Sequence, residues 1–214
     1  MDLSPCKLQH TMLTLDSALI AIVAEFTGPY APYQGVALTP CSGGGVFVSA
    51  TDSGKIACMA YDRKGRGDES IYLLPSTELV RSCKGLKTAE REITIGDQTA
   101  LITTFRKSAA NEVKEIPITK SQTTPPPLAK IMRHCIDTWG ATPVASNTAG
   151  RYATDYVEKA IKVLSTRDKS LVFSAFDGGP LRIQSDCGDI VVLVMPQTAE
   201  PIPPLPSWLE LFAQ

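Results

Sequence analysis

The spacing of apolar residues changes repeatedly along the chain, and each change marks a candidate element. "KLQHTMLTL" (7–15) alternates with a period near two and predicts a strand. "SALIAIVAEF" (17–26) is apolar on every side and predicts a buried helix, with Asp16 or Ser17 placed to cap it. Four short runs follow: "GVALTP" (35–40), "GGVFVSATD" (44–52), "GKIACMAYD" (54–62) and "ESIYLLP" (69–75). They are rich in β-branched and aromatic residues, are divided by turn signals such as "CSGGG", "DSG" and "KGRGD", and predict an antiparallel meander. "STELVRSCKGL" (76–86) has helical periodicity behind Pro75, with Ser76 as N-cap and Glu78 favourable to the helix dipole. "REITIGD" (91–97) and "TALITTFRK" (99–107) predict two strands meeting at a Gly-Asp turn.

The second half repeats part of this order. Strand "EVKEIPITK" (112–120) leads to a proline-started helix "PPPLAKIMRHCIDTW" (125–139) and a helix "TDYVEKAIKVL" (154–164). Strands "LVFSAF" (171–176), "PLRIQS" (180–185) and "DIVVLVMP" (189–196) close it. The counterpart of the meander is missing, since only "GATPVASNTAGRYA" (140–153) stands between the helices. The pattern predicts an α+β chain in three parts: a unit over 1–108, a reduced unit over 109–198, and a proline-rich linker with an apolar end over 199–214.

Composition narrows the class. With 214 residues, 43% hydrophobic, 20% charged and a net charge of −1, the chain can bury one large core or two small ones, and it is no polycation. No apolar run approaches the roughly 20 residues that span a bilayer. "MDLSPCKLQH" lacks a basic region followed by an apolar one, so a cytoplasmic protein is expected. The six cysteines form no C-x-x-C pair and there are two histidines, which argues against zinc and predicts buried, reduced thiols and no cofactor. No catalytic set emerges. Cys135 follows His134, but neighbours on a helix point about 100° apart. "SGGG" (42–45) lacks the Lys-Ser/Thr of a phosphate loop, and Asp186 and Asp189 flank a hairpin glycine as turn residues. The chain is not expected to be an enzyme.

Charge is distributed alike on three helices. On a wheel, Leu79, Val80, Cys83 and Leu86 oppose Arg81 and Lys84; Leu128, Ile131, Met132 and Cys135 oppose Lys130 and Arg133; Val157, Ala160, Ile161 and Leu164 oppose Lys159 and Lys162. A solvated face accounts for any one of them. Recurrence on three suggests loose, salt-dependent contact with a phosphate backbone. The helix at 17–26 carries no cation and reads as core or as a subunit contact.

Two stretches carry a resemblance. "VSATDSGKIAC" (48–58) resembles a strand-turn-strand of the A-T-D-G-H-R-L-A type, and "DIVVLVMPQ" (189–197) a closing strand that ends V-M-P-M-R. Both belong to bacterial DNA sliding clamps, the DNA polymerase III beta subunit family. The order of elements between them matches too. The resemblance implies a DNA clamp fold of two clamp-like domains, helices on one face of antiparallel sheets, with the second domain reduced. It implies a peptide pocket with Thr51, Lys55 and Ile56 on one wall and Leu193, Met195 and Pro196 on the other. It also implies that the helix cations face non-specifically bound duplex DNA, and that DNA polymerase or other clamp-binding proteins are partners. Ser53, Gly54 and Gln197 depart from the family pattern. A ring needs about six such units, so a trimer, an open dimer and a monomer all stay open. The reading is a replication or repair accessory, of a kind a phage or mobile element carries.

The end of the chain adds a second reading. Behind the prolines of "EPIPPLP" (200–206), "WLELF" offers Trp208, Leu209, Leu211 and Phe212, close to the Q-L-x-L-F pattern of peptides that bind such clamps. This tail can cover the protein's own core, enter its own pocket, or dock on a separate replicative clamp; the last would make the chain an interaction module that does not touch DNA.

Overall fold

The computed structural model describes residues 12–107, 109–141 (backbone alone over 138–141), 150–175 and 179–197, together with Pro206 and Leu209. The elements run β1 (Leu13–Asp16), α1 (Ser17–Ala24), β2 (Val36–Pro40), β3 (Val46–Asp52), β4 (Ile56–Asp62), β5 (Ile71–Leu74) and α2 (Thr77–Cys83). There follow β6 (Glu90–Ile95), β7 (Thr99–Phe105), β8 (Glu112–Pro117), β9 (Thr119–Lys120), α3 (Leu128–Ala141), α4 (Thr154–Leu164), β10 (Leu171–Ser174), β11 (Leu181–Ser185) and β12 (Ile190–Val194). The strands form a four-stranded sheet, β1-β6-β7-β8, and an eight-stranded sheet, β10-β11-β12-β4-β3-β2-β5-β9, with every pairing antiparallel.

Local chemistry sets the helix starts. The Asp16 carboxylate accepts the Ala18 N–H at 2.9 Å, and the Ser76 hydroxyl accepts the Leu79 N–H at 3.1 Å, each satisfying a donor that the first turn leaves orphaned. α1 is buried along nearly its whole surface, because β2, β3 and β4 lie under it and α2 beside it. A buried Ser17 hydroxyl donates to the Cys83 carbonyl at 3.2 Å and joins the two helices. α4 lies over β11 and β12, and α1 and α4 both cover one face of the large sheet and contribute to one apolar core.

Four expectations need correction. The runs over 35–75 are strands but not a simple meander: β5 pairs with β2, and the free side of β4 is taken by β12. The 63–70 connection explains this, because Arg66 exchanges two backbone hydrogen bonds with Thr14 and carries the chain away from β4. The strand over 112–120 is two strands; Pro117 has no N–H to continue the ladder, and after Ile118 the chain changes sheet. α2 stops at Cys83, so Leu86 lies past the helix and is exposed; Ile131 and Ile161, assigned to buried arcs, are also exposed. Finally, Cys58, Cys83 and Cys135 are buried and free, whereas Cys41 is half-buried and Cys187 is exposed. The remainder of "KLQHTMLTL" before residue 12 and the "TPVASNTA" stretch (142–149) lie outside the described residues.

Burial raises the Cys58 thiol and pushes Cys83 up to about 12. Thiol labelling of the native protein at pH 8 is therefore expected to modify Cys187 on the order of 100-fold faster than Cys58 or Cys83, whose reaction awaits opening of the core. Mass mapping of the labelled peptides measures this, and equal rates would contradict the packing of α2 and β4.

Candidate functional site

The two segments singled out in the sequence lie side by side. β12 runs antiparallel to β4 with Val194 opposite Ile56 and Leu193 opposite Ala57, and the ladder continues where Met195 N–H donates to the Lys55 carbonyl at 2.9 Å. The β3–β4 turn that carries Lys55 is tight. Ser53 and Gly54 both take left-handed φ, 48° and 75°, a pair of conformations typical of two-residue hairpin turns, and Lys55 N–H closes the turn on the Asp52 carbonyl at 2.8 Å. Buried Thr51 donates its hydroxyl to the Ile56 carbonyl at 2.7 Å and braces the turn from beneath.

Exposure separates the six pocket candidates into supports and contacts. Thr51, Ile56 and Leu193 are buried at 3%, 0% and 2%, so they support the seam and offer no surface. Lys55 and Met195 are exposed and Pro196 half-buried; these three can touch a ligand. Beyond β12, Pro196 bridges to Tyr152, and Gln197 N–H donates to the Arg151 carbonyl at 2.8 Å.

On the helical side of the sheet a cleft of about 1260 Å³ opens between α1, the end of α2 and α4. Lys84, Lys159 and Lys162 line it, joined by Arg63, Lys64 and Lys87, which sit in turns and loops. These last three lie off the helix faces, and the basic turns "DRKGRG" (62–67) and "KGLK" (84–87) are their signal in the sequence. Arg81, Lys130 and Arg133 are exposed but do not line this cleft; Arg81 borders a smaller pocket with Arg91 and Lys114. Carboxylates are interleaved, among them Glu25, Asp155 and Glu158, so the lining is of mixed sign. Arg167 is already engaged by Asp16 at 3.0 Å and by Asp189 at 3.9 Å, and Lys159 lies over the Phe26 ring at 5.8 Å. Arg91 donates to the Ser82 and Lys84 carbonyls and so closes the C-terminal end of α2.

Behind α4, the Asp168 carboxylate accepts backbone N–H groups of Ser170, Asp186 and Cys187, which lower its pKa and pin the β11–β12 hairpin to the helix end. Among the described residues no group of His, Cys, Asp and Glu is arranged to hold a metal ion, and no helix is long and apolar enough to cross a membrane. Of the tail, Pro206 and Leu209 are described: Leu209 N–H donates to the Pro206 carbonyl at 3.1 Å. Trp208, Leu211 and Phe212 lie outside the described residues.

Neither a protein-family model nor a curated protein matches the sequence. Solved structures do match its fold. The DNA polymerase sliding clamp of Pseudomonas aeruginosa, solved with a ligand, superposes with a TM-score of 0.57 at 13% identity, over 88% of this chain and 67% of that one. DNA polymerase III subunit beta of Borrelia burgdorferi, in complex with a natural product, gives 0.57 at 8% identity over 93% and 67%. The beta subunit from the DNA polymerase of Streptococcus pyogenes gives 0.56 at 12% over 93% and 68%. The fold is that of a DNA sliding clamp. The chain is a shortened version of it, α+β, with helices α1 and α4 on one face of antiparallel sheets and the second clamp-like part reduced. At these identities the likeness to clamps concerns the backbone, and the chemistry must be argued from this chain's own side chains.

Proposed function

We propose that this protein is a non-enzymatic accessory of DNA replication or repair, built as two clamp-like units dividing near residue 108. It rests on duplex DNA through its helical side and receives a short apolar peptide of a partner protein at the β4–β12 seam. The observation that carries the reading is the seam itself: within a clamp fold, the "ATDSGK" turn and the "VLVMP" strand meet at the Met195–Lys55 hydrogen bond. Exposed Met195 beside Pro196 suits an apolar anchor, since a flexible thioether adapts to differing side chains, and Lys55 suits an acidic residue next to that anchor. On the other side, Lys84, Lys159 and Lys162 suit phosphates, and the interleaved carboxylates keep such binding weak and independent of base sequence.

Fluorescence anisotropy with a labelled peptide of the Q-L-x-L-F pattern tests the seam. The parent protein is expected to bind it with micromolar affinity, and Met195→Glu to weaken binding at least ~10-fold, or ~1.4 kcal/mol, with an unchanged melting temperature because residue 195 is exposed. A parent protein that ignores the peptide would remove this half of the proposal.

A further inference from the structure

The two halves of the structure contain the same three-stranded run once with a fourth strand and once without. In the four-stranded sheet, β6, β7 and β8 follow in order and β1 covers the outer side of β6. In the large sheet, β10, β11 and β12 follow in order, but among the described residues no strand covers the outer side of β10. The chain supplies the reason. β1 directly precedes α1, whereas the segment that precedes α3 is Ser121–Pro127, with three consecutive prolines that cannot donate to a ladder. That segment is also held elsewhere, since Ser121 N–H donates to the Tyr72 carbonyl at 2.7 Å beside β5. β5 lies near the opposite edge of the sheet, roughly 30 Å from β10 at ~4.8 Å per strand.

The other three sheet edges are guarded. β1 is bridged on its outer side by Arg66; β8 carries Glu112, Lys114, Glu115 and Pro117; β9 has two residues. β10 is Leu-Val-Phe-Ser, without a charge or a proline, and Val172 and Phe173 are 41% and 50% exposed. Successive strand residues point to opposite faces, and on neither face does β10 carry the charge or proline that ordinarily blunts an open sheet edge.

We infer that β10 pairs antiparallel with β10 of a second copy of this chain, about a two-fold axis through Val172. Ser170-Leu171-Val172-Phe173-Ser174 is nearly palindromic, which is what an isologous contact needs. In this register Val172 faces Val172, Leu171 faces Phe173 of the second copy, Ser170 faces Ser174, and no like charges oppose. Phe173 sits beside Ile183 on the helical side of the sheet, so the two phenylalanines extend the buried apolar surface across the axis.

Sedimentation of the full chain at tens of micromolar tests this. The parent is expected to sediment as a dimer. Val172→Lys places two ammonium groups face to face on the axis and is expected to weaken association on the order of 100-fold, giving a monomer whose far-UV circular dichroism is unchanged. A parent protein that stays monomeric, or a folded V172K that stays dimeric, overturns the inference. Val172→Cys provides an independent reading, because directly opposed residues of an antiparallel pair stand ~4.5–5.5 Å apart, within disulfide reach. Under mild copper-phenanthroline oxidation V172C is expected to form a covalent dimer well beyond that of the parent; no excess would equally overturn the pairing.

Discussion

Reversing Lys84, Lys159 and Lys162 together to glutamate is expected to abolish binding to duplex DNA at 50 mM salt, with the melting temperature nearly unchanged. One side chain stands at the end of α2 and the other two on α4, about a third of the chain away, yet they line one cleft, so their effect on a phosphate backbone is joint. Each cation that neutralises a phosphate contributes about 0.9 to the slope of log affinity against log salt, so losing three lowers that slope by about 3 before repulsion is counted. Replacing attraction by repulsion beside Glu25, Asp155 and Glu158 makes the local surface acidic, and a loss beyond 100-fold follows on the order of ~1 kcal/mol per group. Stability changes little because Lys84 and Lys162 are exposed. Lys159 forfeits its position over Phe26, worth roughly 0.5–1 kcal/mol. Electrophoretic mobility shift across a salt series, with Lys130→Glu and Arg133→Glu as a control on α3, measures both terms. A triple variant that binds as the parent does would show that the helical side is not the DNA side.

The cleft and the seam were legible in the sequence to different degrees. Helix starts could be read directly, since Asp16 and Ser76 act on backbone groups two or three residues away. The β3–β4 turn could be read for the same reason. The β12–β4 pairing joins positions about 130 residues apart, and alternation alone does not say which strands pair; there the resemblance of two short stretches to sliding clamps supplied the partner. Where no such likeness guided the reading, as for β5, the simplest neighbour was wrong. The ion pair from Arg167 to Asp16 was illegible in principle, because each end looks like an ordinary surface charge until the fold brings α4 beside α1. Exposure was the hardest property to foresee: Ile56 and Leu193 match a binding pocket by type, but both are buried, Ile56 turned inward to the core and Leu193 on the other face of the sheet.

That inward turn leads to the largest expected loss of stability. Ile56→Ala removes a fully buried side chain at the point where β4 meets β12, in a core that also holds Val192, Val194, Ala160 and Leu164. Large-to-small changes of this kind cost about 2–5 kcal/mol, because the surroundings collapse only in part around the missing atoms. For a chain of this size each kcal/mol lowers the melting temperature by about 2–4 °C, so a drop between roughly 4 and 20 °C is expected. The shape of the transition carries more information than its midpoint. α1 and α4 contribute to one apolar cluster and the large sheet joins both halves of the chain, so neither half can lose its packing at the seam without exposing the other. Thermal unfolding followed by circular dichroism and by calorimetry is therefore expected to remain a single transition in I56A. A shift below about 1 kcal/mol would mean that Ile56 is not packed at the seam, and two separated transitions would mean that the halves hold their cores independently.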